Sequence, residues 1–312
     1  MSEETIKERT RRLLAAVSEY KGNFDGAYNI REDGQCAGRR STEHIQIDSM
    51  PDGKPGLLIH IAPGTQDETV YIPACVTHSD VDDLVYNDFY VGDGARVTIV
   101  AGCGVHSDGD EDARHNGVHR FFLGKGAYVL YKEKHIGTGT GKGLKKIDPV
   151  TTVVLDEDAT LEMDTIQLGG VDRTTRTTEG TLAARAHLII HERILTEGEQ
   201  TAKTDFVVDL DGEDSGVNLI SRSVAKDASH QEYHSVIRGN ARCSGHSECD
   251  AILVGNGTVS AAPELFAGDV DAALIHEAAI GKIAGEQILK LRTLGLTEQE
   301  AEETIIKGFL NA

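Results

Sequence analysis

Cys243 and Cys249 stand six residues apart in the stretch GNARCSGHSECDAILV, residues 239–254, with His246 between them. A deprotonated thiol beside histidine and carboxylate is a donor set that iron and zinc accept. Cys-x5-Cys is not a usual zinc spacing, however, and no CxxC pair accompanies it, so two buried thiols read the same way. His276 and Glu277 are the next candidates. The run around them carries Leu274, Ile275, Ile280, Ile283, Ile288 and Leu291 at helical spacing, which predicts a helix over 275–293 with His276 and Glu277 at its entrance. Adjacent helical residues project about 100° apart, so both reach one site only where the helix start or a loop presents them. Otherwise His276 is a packing histidine, and Glu277 a solvated carboxylate near the positive end of a helix dipole.

Residues 102–119, GCGVHSDGDEDARHNGVH, gather Cys103, His106, Asp108, Asp110, Glu111, Asp112, His115 and His119. Their spacing fits neither an EF-hand nor an HExxH helix, and a solvated acidic loop between two coils is the expectation. The Gly-rich GTGTGKGLKK, residues 137–146, fails as a Walker A loop because Gly143 follows Lys142 where Ser or Thr is needed. No GxSxG elbow occurs, and no nucleophile, base and orienting group can be assembled from chain order.

What must position these residues is mostly β. After an amphipathic helix over about residues 3–20, with Ile6, Leu13, Leu14 and Val17 on its apolar side, the composition turns to Gly, Asp and short Val/Ile-rich runs. ARVTIVAG, AYVLYKEK, ATLEMDTIQLG, AHLIIHERIL, TDFVVDL, GVNLISRSVA and YHSVIRG have strand length and β-branched content. A turn residue, then Ala or Thr, then alternating apolar positions recurs as GDGARV, GKGAYV and DEDATL, with starts 32 residues apart, and later as AKDASH, RGNARC and VGNGTV. Such irregular multiples of a short unit predict stacked coils, a parallel β-helix, over a β-sandwich with similar turns. The expected organisation is an N-terminal helix (1–21), a β-helix core (22–272) and a helical C-terminal region (273–312). There Gly295 would stop one helix, and Thr297 and Glu300 would cap the next.

The formal charge of −20 over 312 residues leaves no basic face for nucleic acid or an anionic membrane. No apolar run approaches the roughly 20 residues that span a bilayer, and MSEETIKERTRRLLAAV lacks the apolar centre of a signal peptide, so a cytoplasmic protein is expected. Cys36, Cys75, Cys103, Cys243 and Cys249 make an odd set, expected reduced.

The terminal run HEAAIGKIAGEQILKLRTLGLTEQEAEETIIKGF, with ECDAILVG upstream, resembles the C-terminal signature of the SufB/SufD family of the SUF iron–sulfur cluster assembly system. HNGVH, RGNARC, CDAILVG and HEAA also follow in a similar order, so the likeness covers residues 85–312, in a compact SufB-like form. The resemblance implies a right-handed parallel β-helix and a scaffold that is not itself an enzyme. It implies a cluster, 4Fe-4S in preference to 2Fe-2S, that is passed to recipient apo-proteins. It places the assembly cysteine at Cys249, the glutamate of the HEA motif at Glu277 and the histidine important in SufD at His276. It also implies that the C-terminal helices dock a SufC-like ABC ATPase, which hydrolyses the ATP. Because both SufB-type and SufD-type residues occur in one chain, a homodimer could replace the heterodimer. The chain departs from the family where SufB commonly reads CGAH, since residues 257–263 read GTVSAAP. Cys243 could supply the missing thiolate, giving a ligand set of Cys243, Cys249 and Glu277, or His276, drawn from both chains.

Another class remains open. Parallel β-helices also carry carbohydrate-active lyases and hydrolases, and the aspartates of 108–112 invite that comparison, although the chain has no Trp for sugar stacking.

Overall fold

The structure, a computed structural model, describes residues 3–311 and side chains from Glu8 onward; the side chain of Ile6 lies outside them. The chain winds into a β-solenoid of about 8 turns with one helix before it and two after. Its walls are an 11-stranded and a 10-stranded sheet. One wall stacks Arg96–His106, Tyr128–Thr138, Thr160–Leu168, His187–Thr196, Ser215–Ala225, Cys243–Leu253 and Ala272–Lys282, each parallel to the next. The other includes Val81–Val91, Ala113–Leu123, Arg173–Leu182, Thr201–Leu210, His230–Gly239 and Thr258–Ala267. The expected solenoid is therefore found, and each strand run read from the sequence lies in one of these walls.

The recurring turn signature has a local cause. Gly94 and Gly126 (both φ 64) and Asp158 (φ 60) adopt the left-handed conformation that Gly tolerates and Asp visits. Each is followed by an alanine pointing into the corner where the walls meet: Ala95, Ala127 and Ala159, all at most 1% exposed. Backbone bonds stack these corners, Tyr128 N donating to Ala95 O and Thr160 N to Ala127 O, both at 2.8 Å. Between the walls runs one apolar core, reaching from Ala27 to Cys249.

The two ends differ. At the N-terminal end Gln35–Arg40 lies antiparallel on Ala27–Glu32, and Ile45–Ser49 antiparallel on Gly56–Ile61, so reversed strands close the stack and Ile45 and Ile47 plug it. Helix α1 (Glu3–Val17) lies along the outer face of the first wall. Gly102 lets it approach, since a Cβ there would stand 2.2 Å from the carbonyl oxygen of Val17. At the other end Thr258–Ala267 and Ala272–Lys282 terminate their sheets with nothing beyond them among the described residues.

The C-terminal region corrects one expectation. Residues 275–282 belong to a strand, not a helix, because the backbone of Cys243–Leu253 offers Ala272–Lys282 eleven in-register partners. Pairing overrides the helical spacing of the apolar residues. The solenoid thus runs ten residues past the expected boundary at 272, to Lys282. Helix α2 is only Gly285–Thr293, followed by Gly295 (φ 99) as left-handed stop. Helix α3 (Glu298–Leu310) starts with the expected capping box of Thr297 and Glu300. Neither caps the open end: α3 packs Ile306 and Leu310 against Val224 on the outside of the first wall, and α2 buries no residue.

Replacing a corner alanine overpacks a sealed column. Ala127→Leu is expected to lower stability by about 1–3 kcal/mol, read from the urea midpoint, whereas Ala273→Leu on the exposed last strand leaves it nearly unchanged.

Candidate functional site

Strand alternation decides where the candidate residues point. On Cys243–Leu253 the odd positions face inward, so Cys243 and Cys249 both enter the core, 6% and 1% exposed. Six residues of extended chain separate them by about 20 Å, so within one chain they can neither bridge nor share a cluster. All five cysteines are free thiols. Burial pushes the Cys249 thiol up to about 12, with Glu192 and Asp250 adding to it, and also raises Cys243.

On the last strand His276 faces Ser247 and Ala278 faces Cys249, which makes His276 a diagonal inner neighbour of Cys249. His276 Nδ1 lies 3.0 Å from the Ser247 carbonyl oxygen. A carbonyl only accepts, so the proton sits on Nδ1 and the lone pair of Nε2 is left for a ligand. Being in a strand, Glu277 points the opposite way from His276, to the outer face, where its register partner is Glu248. His246, also outward, donates from Nδ1 to Asn218 Oδ1 at 2.8 Å. The structure thus sets Cys249 and His276 at diagonal positions of the inner face, and separates both from Glu277 and Cys243. Among the described residues no three His, Cys, Asp or Glu side chains converge to hold a metal.

The acidic loop divides in the same manner. Asp108 is tied to Arg9 and His106, and Asp112 to Lys146, on the surface. Cys103, His115 and His119, however, turn inward and line a cavity of about 20 Å³ with Asn29, Arg31 and Asn87, room for about one water. Burial opposes the charge of Asp83 there, but His115 at 2.9 Å and the Arg31 guanidinium hold its carboxyl far below the usual range.

One interior feature escaped the sequence reading. Glu133, His135, Arg176 and Glu192 form a sealed ionic group, none more than 4% exposed. Arg176 Nη1 reaches Glu133 Oε2 at 2.5 Å, and its Nε lies 3.3 Å from Glu192 Oε1. Tyr131 donates to Glu133 at 2.9 Å, and Thr204 and Ser221 donate to Glu192 at 3.0 and 2.8 Å. The signal was present in YVLYKEKHIG, where Glu133 and His135 fall on the same side of the alternation as Val129 and Tyr131.

A β-solenoid with an inward thiol one strand behind its free edge and an imidazole on the edge strand itself is the class of protein that the fold and site define. The family model described as SUF system FeS cluster assembly, SufBD core domain, matches residues 86–309, so the chain belongs to the SufBD family of SUF-system iron–sulfur cluster assembly proteins. It is 29% identical over 267 residues to an iron–sulfur cluster assembly SufBD family protein of Methanothermobacter thermautotrophicus (strain Winter), covering 82% of this chain and 62% of that one. A SufBD family protein of Archaeoglobus fulgidus is 28% identical over 262 residues, covering 82% and 68%. A third, of Methanocaldococcus jannaschii, is 28% identical over 239 residues, covering 75% and 74%. The chain spans 62% of the length of each of two such relatives from Methanothermobacter thermautotrophicus, strains Winter and Delta H. No helix among the described residues is long and apolar enough to cross a membrane.

The interior histidines set an acid limit. Burial pushes His119 down to about 4, so the folded chain resists a proton that the unfolded chain takes near 6.5. The stability this gives is full above about pH 6.5 and lost as pH falls from there to about 4, by roughly 3 kcal/mol. Urea midpoints across that window should fall in the wild type and fall less steeply in His119→Gln.

Proposed function

We propose that the chain is a scaffold on which an iron–sulfur cluster is assembled and from which it passes to recipient apo-proteins, with Cys249 as the assembly thiol. The observation that carries this reading is the register that sets His276, on the free edge strand, diagonal to the inward Cys249 of the strand behind it, with Nδ1 on the Ser247 carbonyl and Nε2 left for a ligand. One thiol and one imidazole do not complete a cluster. A second copy meeting this chain at the open end doubles the donors, and the two exposed strand edges with Leu265, Phe266, Val270, Ile275 and Ile280 around them suit such pairing. A 4Fe-4S cluster held between two chains, with Cys243 or Glu277 entering from the partner copy, is the arrangement we favour; the 20 Å between Cys243 and Cys249 fits two chains better than one.

A SufC-like ABC ATPase is the proposed source of work. It would dock on α2, whose Leu289 is 61% exposed, with Leu294 beyond it at 72%. Leu274, which sequence spacing had put on that helical face, lies in the solenoid instead, partly buried against its core.

Anaerobically purified wild type co-expressed with such an ATPase should hold stoichiometric iron and acid-labile sulfide. Cys249→Ala should lose both, and retention of both in that variant would remove Cys249 from the site. Ile280→Asp should weaken self-association at least about tenfold in sedimentation, and Leu289→Asp should weaken ATPase binding without affecting the dimer.

A further inference from the structure

The outer faces of the two walls differ. Helices α1 and α3 lie along the first wall, whereas no helix among the described residues packs on the second. Outward positions of Val81–Val91, Ala113–Leu123 and Val150–Leu155 there carry Leu84, Tyr90, Phe122, Val150 and Val154, and all but the half-buried Phe122 are 38–42% exposed. On the next strand, Arg173–Leu182, the outward residues turn polar: Arg173, Thr175, Thr177, Glu179 and Thr181. A bounded apolar face on an acidic surface marks a contact. We propose that this face of the second wall is a two-fold interface with a second copy of the chain, separate from the open end.

Charge and size single out a second copy. The strands of this wall from Gly56–Ile61 to Arg173–Leu182 all run parallel, so the face has two unlike edges. At the strand starts Arg114, Lys146 and Arg173 stack on successive coils and line a groove of about 500 Å³ with Leu84, Val118 and Val150. Asp148 meets Arg114 and Asp112 meets Lys146, while the exposed Arg173 has no ion-pair partner among the described residues. At the strand ends Asp156 and Asp211 line a groove of about 710 Å³ with His60, Tyr90, Phe122 and Val154. The Asp156 carboxylate accepts from Glu157 N and that of Asp211 from Asn240 Nδ2, neither of them a cation. A half-turn about an axis through the face lays the cationic edge of one copy on the carboxylate edge of the other, and makes each contact twice. Four strands about 4.8 Å apart and about 30 Å long offer roughly 600 Å² per copy, so two such faces bury roughly 1,200 Å², enough for a stable pair.

The face is also ready before contact. Its rings stack along the solenoid, His60 on Tyr90 at 5.2 Å and Tyr90 on Phe122 at 4.8 Å, and so lose little freedom when covered. Asp88 and Arg120, which cross its middle, already neutralise each other. With a formal charge of −20, two copies repel at a distance, and cations set against carboxylates offset that repulsion where they meet. Arg173–Leu182, Thr201–Leu210 and His230–Gly239 separate the face from the free edge at Thr258–Ala267, so both surfaces can be occupied at once. A chain using both joins the pairs formed at the open end into a larger assembly.

Sedimentation tests this in the Ile280→Asp background, where pairing at the open end is weakened. That variant should still dimerise at about 50 μM. Adding Val154→Asp, at an exposed side chain, should weaken the dimer at least about tenfold and leave the urea midpoint unchanged. Arg173→Glu, and separately Asp156→Arg with Asp211→Arg, should each weaken it about fivefold, and the three together should restore part of the loss. An Ile280→Asp chain that is monomeric, or a dimer that Val154→Asp leaves intact, overturns the inference. Loss without rescue in the charge exchange overturns the two-fold pairing of the edges. Val154→Asp alone should keep the open-end dimer with its iron and sulfide, so failure of this face leaves the scaffold reading standing. A wild type that Ile280→Asp does not alter and Val154→Asp reduces to monomer supports this interface and removes the one at the open end.

Discussion

A parallel solenoid holds because each strand satisfies its backbone groups on the coil before and the coil after, residue for residue. Here that pairing runs unbroken over ten positions between His187–Thr196 and Ser215–Ala225 and eleven between Ser215–Ala225 and Cys243–Leu253. Strict register turns every interior position into a column, and a column has no way to step aside for a residue that does not suit it. Alanine at each corner, stacked aliphatics between the walls and the Phe89–Phe121 stack at 4.6 Å follow from this. So does the polar column. Once Glu133 and Glu192 face inward, their counter-charge must come across the lumen, and Arg176 on the opposite wall supplies it for both. A buried ionic group of this kind is rarely a net gain in stability over apolar packing.

The same rule of pairing has to stop somewhere, and the chain stops it in two ways. Reversed strands close the N-terminal end. The C-terminal end stays a pair of free edges, with α3 drawn aside to Val224 instead of lying over them. Free edges invite another strand, and this one carries His276, with Cys249 one strand behind it. Incomplete pairing and incomplete ligation therefore share one location, and a second copy would relieve both.

Most of the fold was legible because its cues are local. Gly94, Gly126 and Asp158 sit where the backbone must be left-handed, the alanines after them sit where two walls converge, and the period of 32 between them is the length of a coil. Cys249, His276 and Glu277 could be named from the resemblance, but their directions could not. Leu274, Ile275 and Ile280 satisfy a helix as well as a strand, and only the waiting edge of Cys243–Leu253 decides between them. That choice sends His276 inward and Glu277 outward. The polar column was harder still, since Glu133, Arg176 and Glu192 are far apart in the chain and look like ordinary surface residues until alternation and register are both known.

Cys249 itself sets a condition on any mechanism. Cys249 is 1% exposed, and its burial favours the thiol over the thiolate, the form that binds metal and attacks sulfur. Chemistry there needs the surroundings of the sulfur to change, and Ala272–Lys282, the strand that covers Cys243–Leu253, can change at least cost, being paired on one side only. Work delivered through α2 and α3 would reach it directly. Lys282 ends the strand that carries His276, and Gly285 begins α2, so a pull on the helices is a pull on the outermost strand of the first wall. Loosening that strand would admit water to Cys249 and free His276 from the Ser247 carbonyl.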